Sequence, residues 1–178
     1  MAAAEAYSQR MPSRMLASIG RIKGTHMSEN TNFKILVGVI VEAEMAGRPR
    51  HELLLELGDT PAYILQHCQG FAALDMVLKA KNLGKMVFDH GMKKGMIERL
   101  PEILAKPKAL YKSASNHIKD ASVIMTFETH NGFPIIIAVH PGKMIGRRQV
   151  NEVASMYFKE GPNPELKWKS AGLLLWEA

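Results

Sequence analysis

Residues Ala121–Phe158 read "ASVIMTFETHNGFPIIIAVHPGKMIGRRQVNEVASMYF", and the fold turns on how this stretch is divided. "ASVIMTFE" and "FPIIIAVH" are strand-length blocks rich in β-branched and aromatic residues, the types that suit a pleated, half-buried surface. Between them "THNG" ends in Asn131-Gly132, the dipeptide that tolerates positive φ at both centres of a tight hairpin turn. "RQVNEVASMYF" is a further strand candidate, reached through the basic loop "HPGKMIGRR".

On either side of this stretch, "KALYKS" reads as a strand before it and "AGLLLWEA" as one after it, with "NPELKWKS" a short helix between. "MIERLPEILAKP" places Met96, Ile97, Leu100, Ile103 and Leu104 at helical spacing. Pro101 must kink or restart that helix, and Pro107 closes it. In "LDMVLKAKNLGKMVFDHG" short strands are expected around a turn at Asn82–Gly84. "DTPAYIL" is a helix start, with Thr60 as its cap and Pro61 at the first helical position. "NFKILVGVIVEAEMAG" fits either strand or helix. Helices first and an antiparallel meander second predict an α+β fold, with N-terminal helices packed on one face of a four- to five-stranded antiparallel sheet.

The length of 178 residues suits one domain with a short attachment, and 47% hydrophobic residues are enough for a core. No apolar run approaches the roughly 20 residues that span a bilayer, so no membrane partner is expected. The single cysteine, Cys68, excludes an internal disulfide. His51, His67, His117 and His130 show no metal-ligand spacing, and the glycines form neither a P-loop nor GxGxxG, so no metal or cofactor is expected. A net charge of +6 is compatible with a polyanionic partner. Residues 1–26, with four basic residues and one acid, read as a tag or upstream extension before a start at Met27. Residues 27–178 read as a single domain, of which 27–56 are a lead-in.

Taken in order, "LGDTP", "HG", "LPEILAKPKALYKS", "SVIMTFET…NGFPIIIAVH", "GRRQVNEVASMYFK" and "GLLLWE" resemble the phage and mobile-element branch of the barnase–EndoU–colicin–RelE superfamily of RNases. Domains of that branch sit at the C-termini of phage Mu-type head-morphogenesis and polyvalent proteins. The resemblance runs from about Leu57 to the C-terminus. It implies a barnase/RelE-like fold and a toxin-like, metal-independent endoribonuclease of the bacterial cytoplasm. Its substrate would be tRNA or mRNA, and its partner an antitoxin or immunity protein. The loop departs from the expected pattern, because Pro141 and Met144 change its shape. The alternative is a non-catalytic nucleic-acid- or protein-binding module of a mobile element.

RNA transphosphorylation needs a base near the 2′-OH, an acid for the 5′-oxygen and cations for charge on phosphorus. Glu128 and His140 are excluded as a pair. A two-residue turn puts them on opposite faces, and about five residues at about 3.4 Å separate them. His140 is instead expected to work with residues C-terminal to it: Lys143, Arg147 and Arg148 on phosphate, and Asn151 and Ser155 positioning from one shared face. His90, before Gly91, is the second acid–base candidate. Lys112 and Ser113 would present a cation and a hydroxyl to phosphate, and Tyr157 would stack on a base. The blander alternatives are strand-end solvation for Lys112 and Ser113, and packing for Tyr157.

Overall fold

Asn131 (φ 50°) and Gly132 (φ 81°) turn β4 (Ser122–His130) into β5 (Phe133–Ile145), with His130 paired to Phe133. This is the tight hairpin that the Asn-Gly dipeptide predicts. In this computed structural model, residues 26–178 apart from Asn116 are described; residues 1–25 of the expected extension lie outside them. The eleven-residue β6 (Arg148–Phe158) runs antiparallel to β5, and β3 (Ala109–Lys112) flanks β4, with β7 (Leu174–Glu177) outside it. On the other side, β2 (Asp75–Lys79) lies parallel to β6, and β1 (Leu54–Asp59) pairs antiparallel with β2. The sheet order is β1-β2-β6-β5-β4-β3-β7.

The α+β class is as expected, but the sheet has seven strands rather than four or five, and one junction is parallel. The discrepancy arises where strand runs straight into helix. β2 ends at Lys79 and α3 (Ala80–Phe88) begins at the next residue, with no glycine or proline to mark the boundary. The turn expected at Asn82–Gly84 therefore falls inside α3. α1 (His26–Met45) comes close here: a Cβ at Gly84 would sit 2.7 Å from Glu44 Oε1, the tip of a flexible side chain.

The basic loop also needs correcting. β5 continues through Pro141–Ile145, and the chain turns only at Gly146–Arg147. The register shifts between His140 and Lys143, leaving one extra residue on β5. A bulge is where a sheet tolerates proline, and Gly142 (φ 56°) completes it.

Phe33, Val37, Ile40 and Val41 are buried along α1 at helical spacing, which decides "NFKILVGVIVEAEMAG" as helix. They share one core with Leu78, Val139 and Val153, so the segment read as a lead-in contributes directly to the packing against the sheet. α2 (Ala62–His67), α4 (Lys94–Ile97) and α5 (Leu100–Ala105) contribute to the same cluster, and Pro101 restarts the helix at α5. Thr60 does not cap α2; its hydroxyl donates to Leu74 O at 2.6 Å. On the opposite face Ala109, Tyr111, Val123, Met125 and Ile136 pack beneath Trp168 of α6 (Pro164–Ser170) and Leu173. No helix among the described residues is long and apolar enough to cross a membrane.

Ile40 is fully buried and Val39 is 44% exposed. Ile40→Ala is expected to lower unfolding free energy by about 2–5 kcal/mol, whereas Val39→Ala should change it by less than about 0.5 kcal/mol. Urea denaturation of both variants measures how firmly α1 belongs to the core.

Candidate functional site

Ala138 pairs with Ser155, but Val139 pairs with Val153, so Ala154 is an extra residue on β6. This second bulge reverses the alternation of faces. Val153 and Met156, three residues apart, consequently both join the helix-side core. Asn151 keeps the face of Val153, while Ser155 lies with Ala138 on the other. The expectation that Asn151 and Ser155 share one face therefore fails, because strand parity holds only without a bulge.

Asn151 is fully buried. Its Nδ2 donates to Thr60 Oγ1 at 2.7 Å and to Ala72 O at 2.9 Å, while Oδ1 accepts from the Gly142 N–H at 3.0 Å. The amide thus ties the β5 bulge to the segments around β1 and α2, and it leaves no contact for a substrate.

Along β5, Ile135, Ile137 and Val139 face the N-terminal helices, so Ile136, Ala138 and His140 face away from them. Directly across from His140 on β6 is Glu152, and facing side chains there start about 4.5–5.5 Å apart at Cβ. Glu152 is buried, accepting from Asn82 Nδ2 at 2.9 Å and pairing with Lys79 Nζ at 3.2 Å. The β5 bulge brings Lys143, opposite Val150, to the same side. Burial, then Lys143, lowers the His140 pKa below its ordinary value; Glu152 opposes this and Lys79 adds to it. His140 is accordingly a neutral, half-buried imidazole near pH 7, with a carboxylate facing it and two ammonium groups nearby.

Of the residues expected from sequence, His140, Lys143 and Ser155 come together. Arg148 does not join them as a free cation. Its guanidinium donates to Glu56 at 2.6 and 3.0 Å and to Asp75 at 2.6 Å, bracing β6 against β1 and β2, and these carboxylates raise its pKa. Arg147 is exposed in the turn. Lys112 alternates with Tyr111 and so points to the face covered by the N-terminal helices, away from His140. Ser113 Oγ accepts from the Ser115 N–H at 3.1 Å. Glu128 accepts from Arg99 at 2.6 Å.

His90 lies elsewhere. Its ring is 5.6 Å from that of Tyr157. Tyr157 pairs with Ile136, four residues along β5 from His140, about 14 Å at about 3.4 Å per residue. His90 cannot be the acid that complements His140 at one phosphate. Together with Asp89, Phe158, Lys159 and Glu160, these two rings line a groove of about 350 Å³.

Sequence reading missed Glu152 and Lys79. The available signal was an acid inside the apolar run "VNEVASM", since a carboxylate in the middle of a buried strand needs a partner. No group of three or more His, Cys, Asp or Glu side chains among the described residues is placed to hold a metal.

Two measurements test this geometry. Asn151→Ala should lower stability by about 1–3 kcal/mol by orphaning buried polar groups, as read by chemical denaturation. Unfolded, the His140 imidazole titrates near about 6.5; folded, it takes up its proton only at lower pH. Between those values the unfolded chain holds more proton, so stability falls as pH drops below about 6.5. Urea midpoints across this range should show a shallower decline in His140→Gln than in the wild type.

The model of the phage MuF-C-terminal domain family matches residues 81–177, more than half of the sequence, and the chain belongs to that family. No curated protein and no solved structure matches it.

Proposed function

We propose that this member of the phage MuF-C-terminal domain family is a metal-independent endoribonuclease with His140 as its general base. The observation that carries this reading is the neutral imidazole of His140 facing the buried Glu152, with Lys79 and Lys143 beside them. A base in that state can take the proton of a ribose 2′-OH as its oxygen attacks the adjacent phosphorus. The Glu152 carboxylate favours the imidazolium that forms, and the two ammonium groups favour the charge that builds on the phosphoryl oxygens. Next along this face are Ala138 and Ser155, whose small side chains leave a shallow floor with one hydroxyl for positioning. His90, the other acid–base candidate, stands with Tyr157 about 14 Å along the hairpin, so in this reading water delivers that proton. The attack breaks the P–O5′ bond and leaves a 2′,3′-cyclic phosphate and a free 5′-OH.

In this reading the protein acts as a toxin on tRNA or mRNA, and an acidic antitoxin or immunity protein covers the His140 end of the sheet. The second reading is a nucleic-acid-binding module without catalysis. What favours it is Arg148, whose charge Glu56 and Asp75 already neutralise, leaving the site without the forked cation that best grips a phosphate.

Purified protein should cleave total RNA in the presence of a chelator and leave cyclic phosphate ends. His140→Ala should reduce the rate by about 10²–10⁴-fold. With one titrating base, kcat/KM should rise along a single limb with a midpoint below about 6.5 and then level off, rather than follow a bell. Intact RNA combined with binding that falls steeply with salt would replace this reading by the second.

A further inference from the structure

The groove at the far end of β6 has a composition that the chemistry at His140 does not use. Tyr157 and His90 form one aromatic wall, their rings 5.6 Å apart and inclined by 41°. Asp89, Phe158, Lys159 and Glu160 line the remainder, and neither carboxylate has an ion-pair partner among the described residues. Tyr157 packs against the α6-side cluster and therefore opens on the same sheet face as His140. Between the two places the face carries Ala138 and Ser155, neither of which blocks a chain lying along β6. At about 350 Å³ the groove is at the small end of the range for ligand sites, a size that suits one flat ring better than a folded peptide.

We infer that the Tyr157–His90 groove is a base-binding subsite that takes one unpaired nucleobase of a single-stranded RNA laid along β6, with a preference for bases that carry an amino group. The inference rests on the nuclease reading for its choice of RNA as ligand, but not on catalysis. A base inserted against Tyr157 stacks on the phenol ring or the imidazole, a contact available to every base. Selection comes from the carboxylates. The carboxylate oxygens of Asp89 and Glu160 accept hydrogen bonds; adenine, cytosine and guanine offer an exocyclic N–H₂, and uracil does not. Lys159 is placed for the adjoining phosphate. The span of about 14 Å to His140 corresponds to about four nucleotides at about 3.4 Å each, and to fewer if the strand is extended.

The test is fluorescence anisotropy with labelled oligo(C), oligo(A) and oligo(U) on the His140→Ala protein, so that cleavage does not interfere. Oligo(C) and oligo(A) should bind more tightly than oligo(U). Tyr157→Leu should weaken them by about 5- to 150-fold, the range of one lost stacked base, and Tyr157→Phe should bind as the parent does. The Asp89→Asn, Glu160→Gln double variant changes only groove-lining surface groups, so it remains informative if Tyr157→Leu fails to fold; it should remove the preference over oligo(U). Equal binding of all three oligomers, binding indifferent to both sets of changes, or no binding at all overturns the inference. His140-dependent cleavage by the Tyr157→Leu protein at the wild-type rate and with wild-type base preference would overturn it too, while leaving the nuclease reading in place. Absence of cleavage with the binding pattern intact would remove the nuclease and keep the subsite.

Discussion

One surplus residue on each of two paired strands sets the arrangement of the sheet face that carries His140. On β6, Ala154 has no partner, and on β5 the surplus falls between His140 and Lys143. Each bulge reverses which residues face the helices, so together they determine which polar side chains are buried and which remain accessible. The β6 bulge separates Asn151 from Ser155, sending the first into the core and leaving the second beside Ala138. The β5 bulge carries Lys143 to the side of His140 while leaving the Gly142 N–H without a ladder partner. Asn151 accepts from that N–H, so a side chain displaced by one irregularity satisfies the backbone group orphaned by the other. Burying an unpaired N–H is costly, and this mutual arrangement allows a hairpin of this length to stay in register through Pro141.

Charge placement depends on the same geometry. The net charge of +6 says little about where cations are free to act. Arg148 is held by Glu56 and Asp75 across three strands, and Lys79 is drawn to Glu152. Surface ion pairs of the Arg148 kind contribute little stability each, but a fork shared by two carboxylates fixes the relative positions of β1, β2 and β6. Along the β5–β6 hairpin, the partly exposed Lys143, the exposed Arg147 and the groove-lining Lys159 have no ion-pair partner among the described residues, and they are spread along it rather than gathered at one point.

The segment before the family match also contributes to the site. α1, β1, α2 and β2 precede residue 81, yet β2 supplies Lys79, and the Thr60 and Ala72 groups that hold Asn151 come from this region. β2 can lie parallel to β6 because α3 to α5 and the β3–β5 strands intervene in sequence, a crossover that a hairpin meander does not need. The matched residues hold His140, Glu152 and Ser155, while the preceding ones hold Lys79, which pairs with Glu152, and the acceptors that hold Asn151.

Local elements were legible in the sequence wherever turn chemistry was explicit. Asn131-Gly132 dictated the β4–β5 hairpin, Pro101 the restart at α5, and the apolar blocks the strands β3 to β7, because these depend on backbone preferences of adjacent residues. The order of residues also singled out His140 and Lys143 as neighbours on the hairpin. Packing of the whole sheet settled every relation that spans the bulges or the parallel junction. Asn151 became a buried anchor, Arg148 a structural counterion, Glu152 the cross-strand neighbour of His140, and His90 the wall of a separate groove with Tyr157. A bulge adds one residue and leaves no mark in composition or periodicity, yet it moves each subsequent side chain to the other face; which residues meet across strands depends on register, and register is fixed only by the assembled tertiary structure.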